Sequence, residues 1–290
     1  MTQGTAEAIE LEAAPSLARL YARAALAPII PGGETELPDR RIGLRGVEVD
    51  RDRVAGYCRV CGFRIRSTVP GTYPHVMAFP LHLSLMTDRS FPFSVLGLIH
   101  IGNRIEVLEP IPVDARLDFS VWVEDLRPHR RGRQFDLVAE AALEGELAWR
   151  GRSTYLNRGG SGDGASADRP ERDEGANGDL EVRAEWRVPG DVGRRYAAVS
   201  GDRNPIHMHS LSARVFGFPT AIAHGMWTKA RCLAAFEGRT GDDLEIDVEF
   251  KSPLRIPGRV RFLSARRGED WGFRVEAPGG ERVHLVGAIR

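Results

Sequence analysis

The chain has 290 residues, of which 42% are hydrophobic and 28% charged, and its formal net charge is zero. This length suits one large domain or two domains of about 130 to 150 residues. The neutral balance excludes the strongly basic class of proteins that bind nucleic acid or anionic membranes through overall charge, so we expect neither partner.

The beginning of the chain and its cysteines bear on the compartment. The first residues, MTQGTAEAIELEAAP, are acidic and contain no apolar core, so they do not resemble a signal peptide. No apolar run approaches the roughly 18 residues that span a bilayer. Cys58, Cys61 and Cys232 are too few for a disulfide framework. We expect a cytoplasmic protein with reduced thiols.

The first half of the chain, residues 1–156, contains two predicted helices followed by alternating strands. Apolar residues fall on one side of a helix between Pro15 and Ala25, and a longer apolar helix is expected from Thr72 to Met86. Apolar and polar residues then alternate from Leu117 to Val123 and from Phe135 to Ala139. This alternation is typical of half-buried strands.

A polar segment separates the two halves. Between Asn157 and Asp179 the sequence is NRGGSGDGASADRPERDEGANGD, which holds no large apolar residue. Such a segment cannot bury enough surface to offset the entropy that is lost when a chain becomes ordered. We therefore predict a flexible linker over residues 157–179.

The second half, residues 180–290, repeats the order of elements. A helix is expected from Gly225 to Phe236, and strict alternation from Leu244 to Phe250 predicts a half-buried strand. The same alternation predicts three further strands, over residues 260–262, 271–275 and 283–289.

One short motif occurs in both halves. Tyr57-Cys-Arg-Val60-Cys-Gly62 and Tyr196-Ala-Ala-Val199-Ser-Gly201 share the form Tyr-x-x-Val-x-Gly, and each precedes a long apolar helix and a run of strands. A repeat of this kind indicates a duplicated unit. A long central helix wrapped by a curved antiparallel sheet is a hotdog. We therefore predict an α+β double hotdog, with two unrelated α+β domains as the alternative.

The stretch YAAVSGDRNPIHMHS, residues 196–210, gathers reactive side chains around a turn. Asn204-Pro205 favours that turn, because proline restricts its own φ and the residue before it. Asp202 and His207 can then contact one water, as general acid–base catalysis requires. Two alternatives remain. The stretch can be a solvated turn, or Asp202, His207 and His209 can form a zinc site.

This stretch resembles the (R)-specific enoyl-thioester hydratases and MaoC-like dehydratases. Phe218-Pro219-Thr220 and Ala223-His224-Gly225-Met226 extend the resemblance, which covers the second half throughout and the first half as a degenerate repeat. It implies reversible hydration of trans-2-enoyl thioesters of coenzyme A or acyl carrier protein to (R)-3-hydroxyacyl thioesters, in fatty-acid or related acyl metabolism. It implies no cofactor and no metal, and it allows a homodimer.

The resemblance also implies roles for individual residues. Asp202 and His207 are expected to be the catalytic acid and base, and which of them takes the proton from water stays open. The N–H of Gly225, at a helix start, is expected to stabilise the enolate oxygen. Three further residues are expected at the substrate: Tyr196, Asn204 and His224. A non-catalytic double hotdog that binds acyl thioesters is the alternative function.

The corresponding positions of the first half lack these groups. Alignment of the repeated motif places Phe63 and Thr68 opposite the two reactive residues, and alignment of the helix starts places Val76 opposite the glycine. The resemblance then implies that the first half shapes an acyl tunnel between the paired hotdogs without doing chemistry. Four aromatic residues make the helix region of the first half strongly apolar, and some of them can line the tunnel: Phe63, Phe79, Phe91 and Phe93.

Three other features have simpler interpretations. Cys58-x-x-Cys61 has no second cysteine pair and no thioredoxin-like surroundings, so we expect buried thiols. His82 and His100 lie among apolar residues and are predicted to be core histidines with satisfied hydrogen bonds. The segment HRRGR, residues 129–133, is predicted to be a solvated hairpin tip, and it can also meet the phosphates of coenzyme A.

Overall fold

The computed structural model describes residues 7–26, 36–158 and 180–290. Its strands are β1 (Glu7–Leu11), β2 (Arg40–Glu48), β3 (Leu98–Val107), β4 (Arg116–His129), β5 (Gly132–Leu143), β6 (Glu146–Arg158), β7 (Glu181–Val188), β8 (Leu244–Phe250), β9 (Gly258–Arg267), β10 (Asp270–Glu276) and β11 (Val283–Ile289). Its helices are α1 (Leu17–Leu26), α2 (Arg51–Cys61), α3 (Tyr73–Met86), α4 (Val192–Ser200), α5 (Pro205–Met208), α6 (Ser210–Val215) and α7 (Gly225–Ala234).

One sheet contains all of these strands, in the order β1-β2-β4-β5-β6-β3-β8-β11-β10-β9-β7. Strand β1 runs parallel to β2, and every other neighbouring pair is antiparallel. The strands of the first half end at β3 and those of the second half begin at β8. These two strands pair from Gly102 opposite Glu249 to Val107 opposite Leu244. The two half-sheets are therefore continuous.

A central helix lies against each half-sheet. Helix α3 packs on β2, β4 and β5, and α7 packs on β8. The sequence of α3, YPHVMAFPLHLSLM, has no charged residue, so most of its surface can be buried. Pro74 lies in its first turn, where the missing N–H would have no helical partner anyway. The prediction of an α+β double hotdog is confirmed.

The repeated Tyr-x-x-Val-x-Gly motif is a helix together with the glycine that ends it. Helix α2 is followed by Gly62 with φ of 85°, and α4 is followed by Gly201 with φ of 79°. Glycine adopts this left-handed conformation at little cost, which explains its place in both copies. The two tyrosines are buried, and the ring centroids of Tyr57 and Tyr196 lie 6.0 Å apart. The two copies of the motif therefore pack against each other.

Most predicted segments match observed elements. The three predicted helices correspond to α1, α3 and α7, and the predicted strands fall within β4, β5 and β8 to β11. Strands β1, β2, β3, β6 and β7 have no counterpart in the prediction. The first two residues of the predicted linker, Asn157 and Arg158, complete β6 instead, and the remainder lies outside the described residues. No described helix is long and apolar enough to cross a membrane.

The cysteines are free and buried. Burial raises the pKa of the Cys58 thiol to about 11 and raises that of Cys61 further. Protonated thiols at these sites are poor nucleophiles and poor metal ligands. The structure therefore agrees with the interpretation of Cys58-x-x-Cys61 as a pair of core residues.

A buried lysine forms hydrogen bonds to both strands at the junction of the two half-sheets. Lys229 of α7 is fully buried, and its Nζ donates to the backbone carbonyl of Asn103 at 3.0 Å and to that of Ile246 at 2.9 Å. The side-chain Oδ1 of Asn103 accepts a third bond at 2.5 Å. Asn103 belongs to β3 and Ile246 to β8, so one ammonium group holds both strands.

We predict that Lys229→Ala lowers the free energy of unfolding by about 3 kcal/mol, because it leaves buried acceptors unpaired and opens a cavity. Urea denaturation followed by circular dichroism measures this change. Lys251→Ala is the matched control, since Lys251 is the second of two lysines and is exposed. It should shift the free energy by less than about 0.5 kcal/mol. Equal midpoints for the two variants would contradict the role of Lys229.

Candidate active site

The loop over residues 201–209 carries Asp202 and His207 and is called the reactive loop below. It turns at Asn204-Pro205, as the sequence predicts. Asn204 has a ψ of 126°, outside the helical region, its side-chain Oδ1 accepts from the Ile206 N–H at 3.3 Å, and its carbonyl accepts from the His207 N–H at 3.0 Å. These bonds begin the short helix α5 with Pro205 in its first turn. The loop therefore has the local hydrogen bonds of a turn, and it also brings Asp202 and His207 together, with their ligand atoms within 4.8 Å of each other.

The carboxylate of Asp202 is held by hydrogen bonds. Its Oδ1 accepts from the Asn204 N–H at 3.1 Å and from the Tyr21 hydroxyl at 3.2 Å. Burial raises the pKa of Asp202, but the nearby His224 and His207 and these two hydrogen bonds lower it by more. Its pKa therefore falls below the ordinary value of 3.8, and Asp202 is ionised at neutral pH.

The imidazole of His207 is buried and oriented. Its Nδ1 lies 2.8 Å from the carbonyl oxygen of Ile222, which can only accept, so Nδ1 carries the proton. Burial lowers the pKa of His207 below 6.5, although Asp202 and the bond to Ile222 act in the opposite direction. At neutral pH the ring is neutral, and Nε2 is left as a proton acceptor.

Asp202 and His207 lie at a cavity that both halves line. It encloses about 410 Å³. The second half contributes the reactive loop, the start of α7 and the segment from Phe250 to Leu254. The first half contributes α3 and β3, with Tyr21, Tyr155 and other residues. This cavity is the structural counterpart of the tunnel that was predicted between the paired hotdogs.

His224 and Asn204 line the cavity, whereas Tyr196 does not. The Nε2 of His224 donates to the backbone carbonyl of Asp202 at 3.0 Å, and its ring stacks on that of His207 with centroids 3.7 Å apart. Burial lowers the pKa of His224 to about 3, so it too is neutral. The buried Tyr196 ring packs 4.8 Å from His224. Tyr196 was expected to contact the substrate, but it lies outside the cavity and packs against His224 instead.

Gly225 is the first residue of α7 and lines the cavity. The first N–H groups of a helix have no partner within the helix, and the helix dipole adds positive potential there. A Cβ at position 225 would lie 2.9 Å from Cε1 of Phe250, which excludes a side chain. The absence of a side chain lets the backbone N–H approach a bound oxygen closely.

The structure does not assemble the zinc ligands that the sequence suggested as an alternative. His209 is exposed and lies at the start of α6, away from the group formed by Asp202, His207 and His224. The ligand atoms of that group lie within 4.8 Å of one another. Two of them already have partners, since Nε2 of His224 bonds to a carbonyl and Oδ1 of Asp202 accepts two hydrogen bonds.

The apolar wall of the cavity includes one of the four aromatic residues named from the sequence. Phe79 lines the cavity, together with Leu83 and Met86 on the same helix. Phe91 and Phe93 instead pack on Phe135 in the core of the first half, with ring centroids 5.4 and 5.6 Å from it. Phe79 therefore borders the cavity and these two residues do not, since periodicity does not show which buried face borders a cavity.

Tyr21 of α1 is a functional candidate that the sequence did not reveal. Its hydroxyl donates to Oδ1 of Asp202 and accepts from the Arg203 N–H at 2.7 Å. Burial and the Asp202 charge raise its pKa, so the hydroxyl keeps its proton for this bond. In the sequence Tyr21 belongs only to the apolar face of a predicted helix. No short-range spacing links it to a loop 181 positions away.

Comparison with known proteins identifies the family. Residues 177–281 match the family model described as MaoC like domain. The chain is 35% identical over 272 residues to 3-hydroxyacyl-thioester dehydratase X of Mycobacterium tuberculosis, covering 93% of this chain and 96% of that protein. The chain belongs to the MaoC-like dehydratase family.

Two further comparisons agree with this assignment. The crystal structure of HtdX from Mycobacterium tuberculosis superposes on this MaoC-like protein with a TM-score of 0.76 and 34% identity, covering 87% of this chain and 99% of that one. Peroxisomal enoyl-CoA hydratase 2 of Arabidopsis thaliana is 29% identical over 149 residues, which is 48% of each chain.

The first half of this MaoC-like chain keeps a small pocket where a second site would lie. Phe63 and Thr68, the residues opposite Asp202 and His207 in the repeat, line a pocket of about 90 Å³ with Leu233 and others. Val76, opposite Gly225, is buried in the core. The described residues around this pocket therefore lack the acid–base pair and the glycine.

We predict that Tyr21→Phe raises the pKa of Asp202 by about one unit, because the carboxylate loses one hydrogen bond that favours its charged form. A titration followed by carbon NMR of labelled aspartate measures the shift. Tyr57→Phe is the matched control, since the Tyr57 hydroxyl bonds to Thr72 in the core of the first half. An unchanged Asp202 pKa in Tyr21→Phe would contradict the assigned contact.

Proposed function

We propose that the protein catalyses the reversible addition of water to trans-2-enoyl thioesters, giving (R)-3-hydroxyacyl thioesters. The observation that carries this proposal is the meeting of three groups at one largely apolar cavity: the ionised Asp202, the neutral His207 and the helix start at Gly225. The similarity to a dehydratase of 3-hydroxyacyl thioesters over 93% of the chain supports the same chemistry here.

The protonation states of Asp202 and His207 indicate the source of the proton that reaches the substrate. Asp202 carries no proton at neutral pH, and the ring proton of His207 is on Nδ1, bonded to Ile222. Neither group has a proton free for carbon 2 of the substrate before water binds. We infer that the proton added at carbon 2 comes from the attacking water.

Hydration then consists of one proton transfer from water to the protein and one from the protein to carbon 2. A water held between Asp202 and His207 loses a proton to one of them while its oxygen bonds to carbon 3. The electrons of the carbon–carbon double bond move toward the thioester oxygen and form an enolate. The proton is then transferred to carbon 2 and the thioester carbonyl is restored. Dehydration is the same sequence in reverse.

The enolate oxygen is the point at which negative charge develops. The N–H of Gly225 is suited to donate to it, because the N–H is at a helix start and has no side chain beside it. The dipole of α7 adds positive potential at the same point. Removal of one donor of this type typically lowers a rate by about 10²- to 10³-fold.

The non-catalytic alternative explains less of the site. An apolar cavity alone would hold an acyl chain, and a partly buried ionised carboxylate adds a desolvation penalty without adding apolar contact. Asp202, His207 and His224 are nevertheless held together by a network of hydrogen bonds and ring stacking. Such an arrangement favours catalysis over simple binding.

Three cationic residues support a thioester carried on a phosphopantetheine arm. Arg131, Arg158 and Lys251 line the cavity and are exposed, which places them at its opening. Arg131 belongs to the HRRGR segment that the sequence marked as a candidate for phosphate contact. Coenzyme A and acyl carrier protein share this arm and its phosphate, and these cations suit both.

We predict that Asp202→Asn and His207→Ala each lower kcat for hydration of a trans-2-octenoyl thioester by at least about 10²-fold, since each removes one member of the acid–base pair. The loss of absorbance of the conjugated thioester measures the rate. Circular dichroism should show that both variants remain folded.

His209→Ala is the matched control for these variants, because His209 is an exposed histidine two positions from His207. It should keep the wild-type rate. Wild-type turnover in both Asp202→Asn and His207→Ala would overturn the assignment. A rate that is lost in His209→Ala and restored by added zinc would revive the metal hypothesis.

We also predict the pH dependence of hydration. Both bases must be unprotonated, and both have pKa values below their ordinary values of 3.8 and 6.5. The value of kcat/KM should therefore stay constant from pH 9 to pH 7 and fall on acidification only below about pH 6.5. A pH–rate profile tests this expectation. A decline that begins above pH 7 would show that His207 is protonated in the free enzyme at neutral pH.

A further inference from the structure

Three histidines of the first half form a cluster at the cavity, separate from the acid–base pair. His75 and His82 lie on α3, and His100 lies on β3. The ring centroid of His75 is 5.0 Å from that of His82 and 6.3 Å from that of His100. His75 and His100 line the cavity, and His82 is packed against His75 with an exposure of only 1%.

The hydrogen bonds of this cluster are incomplete, contrary to the prediction of satisfied core histidines. Both ring nitrogens of His82 and the Nε2 of His100 are buried without a hydrogen-bond partner among the described residues. A neutral imidazole offers one donor and one acceptor. Buried polar atoms that stay unpaired are destabilising and rare. The ring of His100 lines the cavity, so its unpaired Nε2 points to a polar group that enters there.

The charge of the cluster restricts what that group can be. Burial lowers the pKa of His75 to about 4, with a further contribution from the charge of Lys229. Burial, His75 and Lys229 lower the pKa of His100 to about 3. His82 is also shifted well below its ordinary value. All three rings are therefore neutral at neutral pH, and neutral donors and acceptors fit an uncharged oxygen.

The cluster lies near the reacting end of the cavity. The Phe250 ring contacts the His100 ring, with centroids 5.0 Å apart, and also touches the position where a Cβ of Gly225 would be. Along α3, His75 is followed on the cavity side by Phe79, Leu83 and Met86. These residues are about one, two and three turns further along the helix. An acyl chain that extends along α3 from the reacting end therefore contacts the polar histidines first and the apolar side chains further along.

We propose that this histidine cluster is a subsite for an oxygen substituent on the acyl chain, a hydroxyl or carbonyl on one of carbons 4 to 6. The inference rests on the proposed function, which sets the direction in which the acyl chain enters the cavity. A hydroxyl can donate to one unprotonated ring nitrogen and accept from the N–H of another. The preferred substrates are then oxygenated acyl thioesters.

Binding of unreactive ligands tests the subsite without relying on catalysis. Isothermal titration calorimetry compares octanoyl-CoA with octanoyl-CoA carrying a hydroxyl at carbon 4, 5 or 6, each measured separately. At least one hydroxylated ligand should bind about fivefold to tenfold more tightly, as expected for one or two neutral hydrogen bonds. The same hydroxyl at carbon 8 should weaken binding, because the chain end faces Leu83 and Met86.

Variants distinguish the subsite from a general effect of polarity. His100→Phe should abolish the preference for the hydroxylated ligand, whereas Phe79→Leu, which alters the apolar wall, should keep it. The proposal is overturned if wild-type protein binds octanoyl-CoA at least as tightly as all three hydroxylated ligands, or if His100→Phe keeps the preference. Turnover of trans-2-octenoyl-CoA, measured separately, reports on the proposed function, which can fail while the binding preference persists.

Discussion

The pairing of β3 with β8 is the constraint on which the rest of the structure depends. Backbone hydrogen bonds between these strands join two half-sheets into one, and Lys229 of α7 adds bonds to both strands. Because the junction fixes the two central helices relative to each other, the cavity has one wall from each half. The reactive loop of the second half therefore works against a surface that the first half provides.

The two halves divide the work of the site. The second half holds the proposed reactive groups, Asp202, His207 and the N-terminus of α7, on a loop and a helix start that lie close together in sequence. The first half has Phe63 and Thr68 at the matching positions and contributes the wall along α3 instead. It also supplies Tyr21, whose hydroxyl positions the carboxylate of Asp202. Under the proposed function, duplication separates the chemistry of the second half from the recognition of the acyl chain by the first.

Burial has opposite consequences for the ionisable groups around this cavity. It removes water from Asp202, yet hydrogen bonds and neighbouring imidazoles keep the carboxylate ionised. The same loss of water keeps His207 and the cluster at His75 and His100 neutral. One ionised base and several neutral rings can therefore coexist within one cavity, because each state follows from local partners rather than from net charge.

The sequence by itself determined the double hotdog and the reactive loop. Alternation from Leu244 to Phe250 and the Asn204-Pro205 turn act over a few residues, so they can be interpreted without knowledge of distant contacts. Only the tertiary structure decided that Tyr21 reaches Asp202, that Tyr196 lies behind His224, and which aromatic residues border the cavity. Those outcomes depend on how the half-sheets meet, and periodicity shows that a side chain is buried without showing what it is buried against.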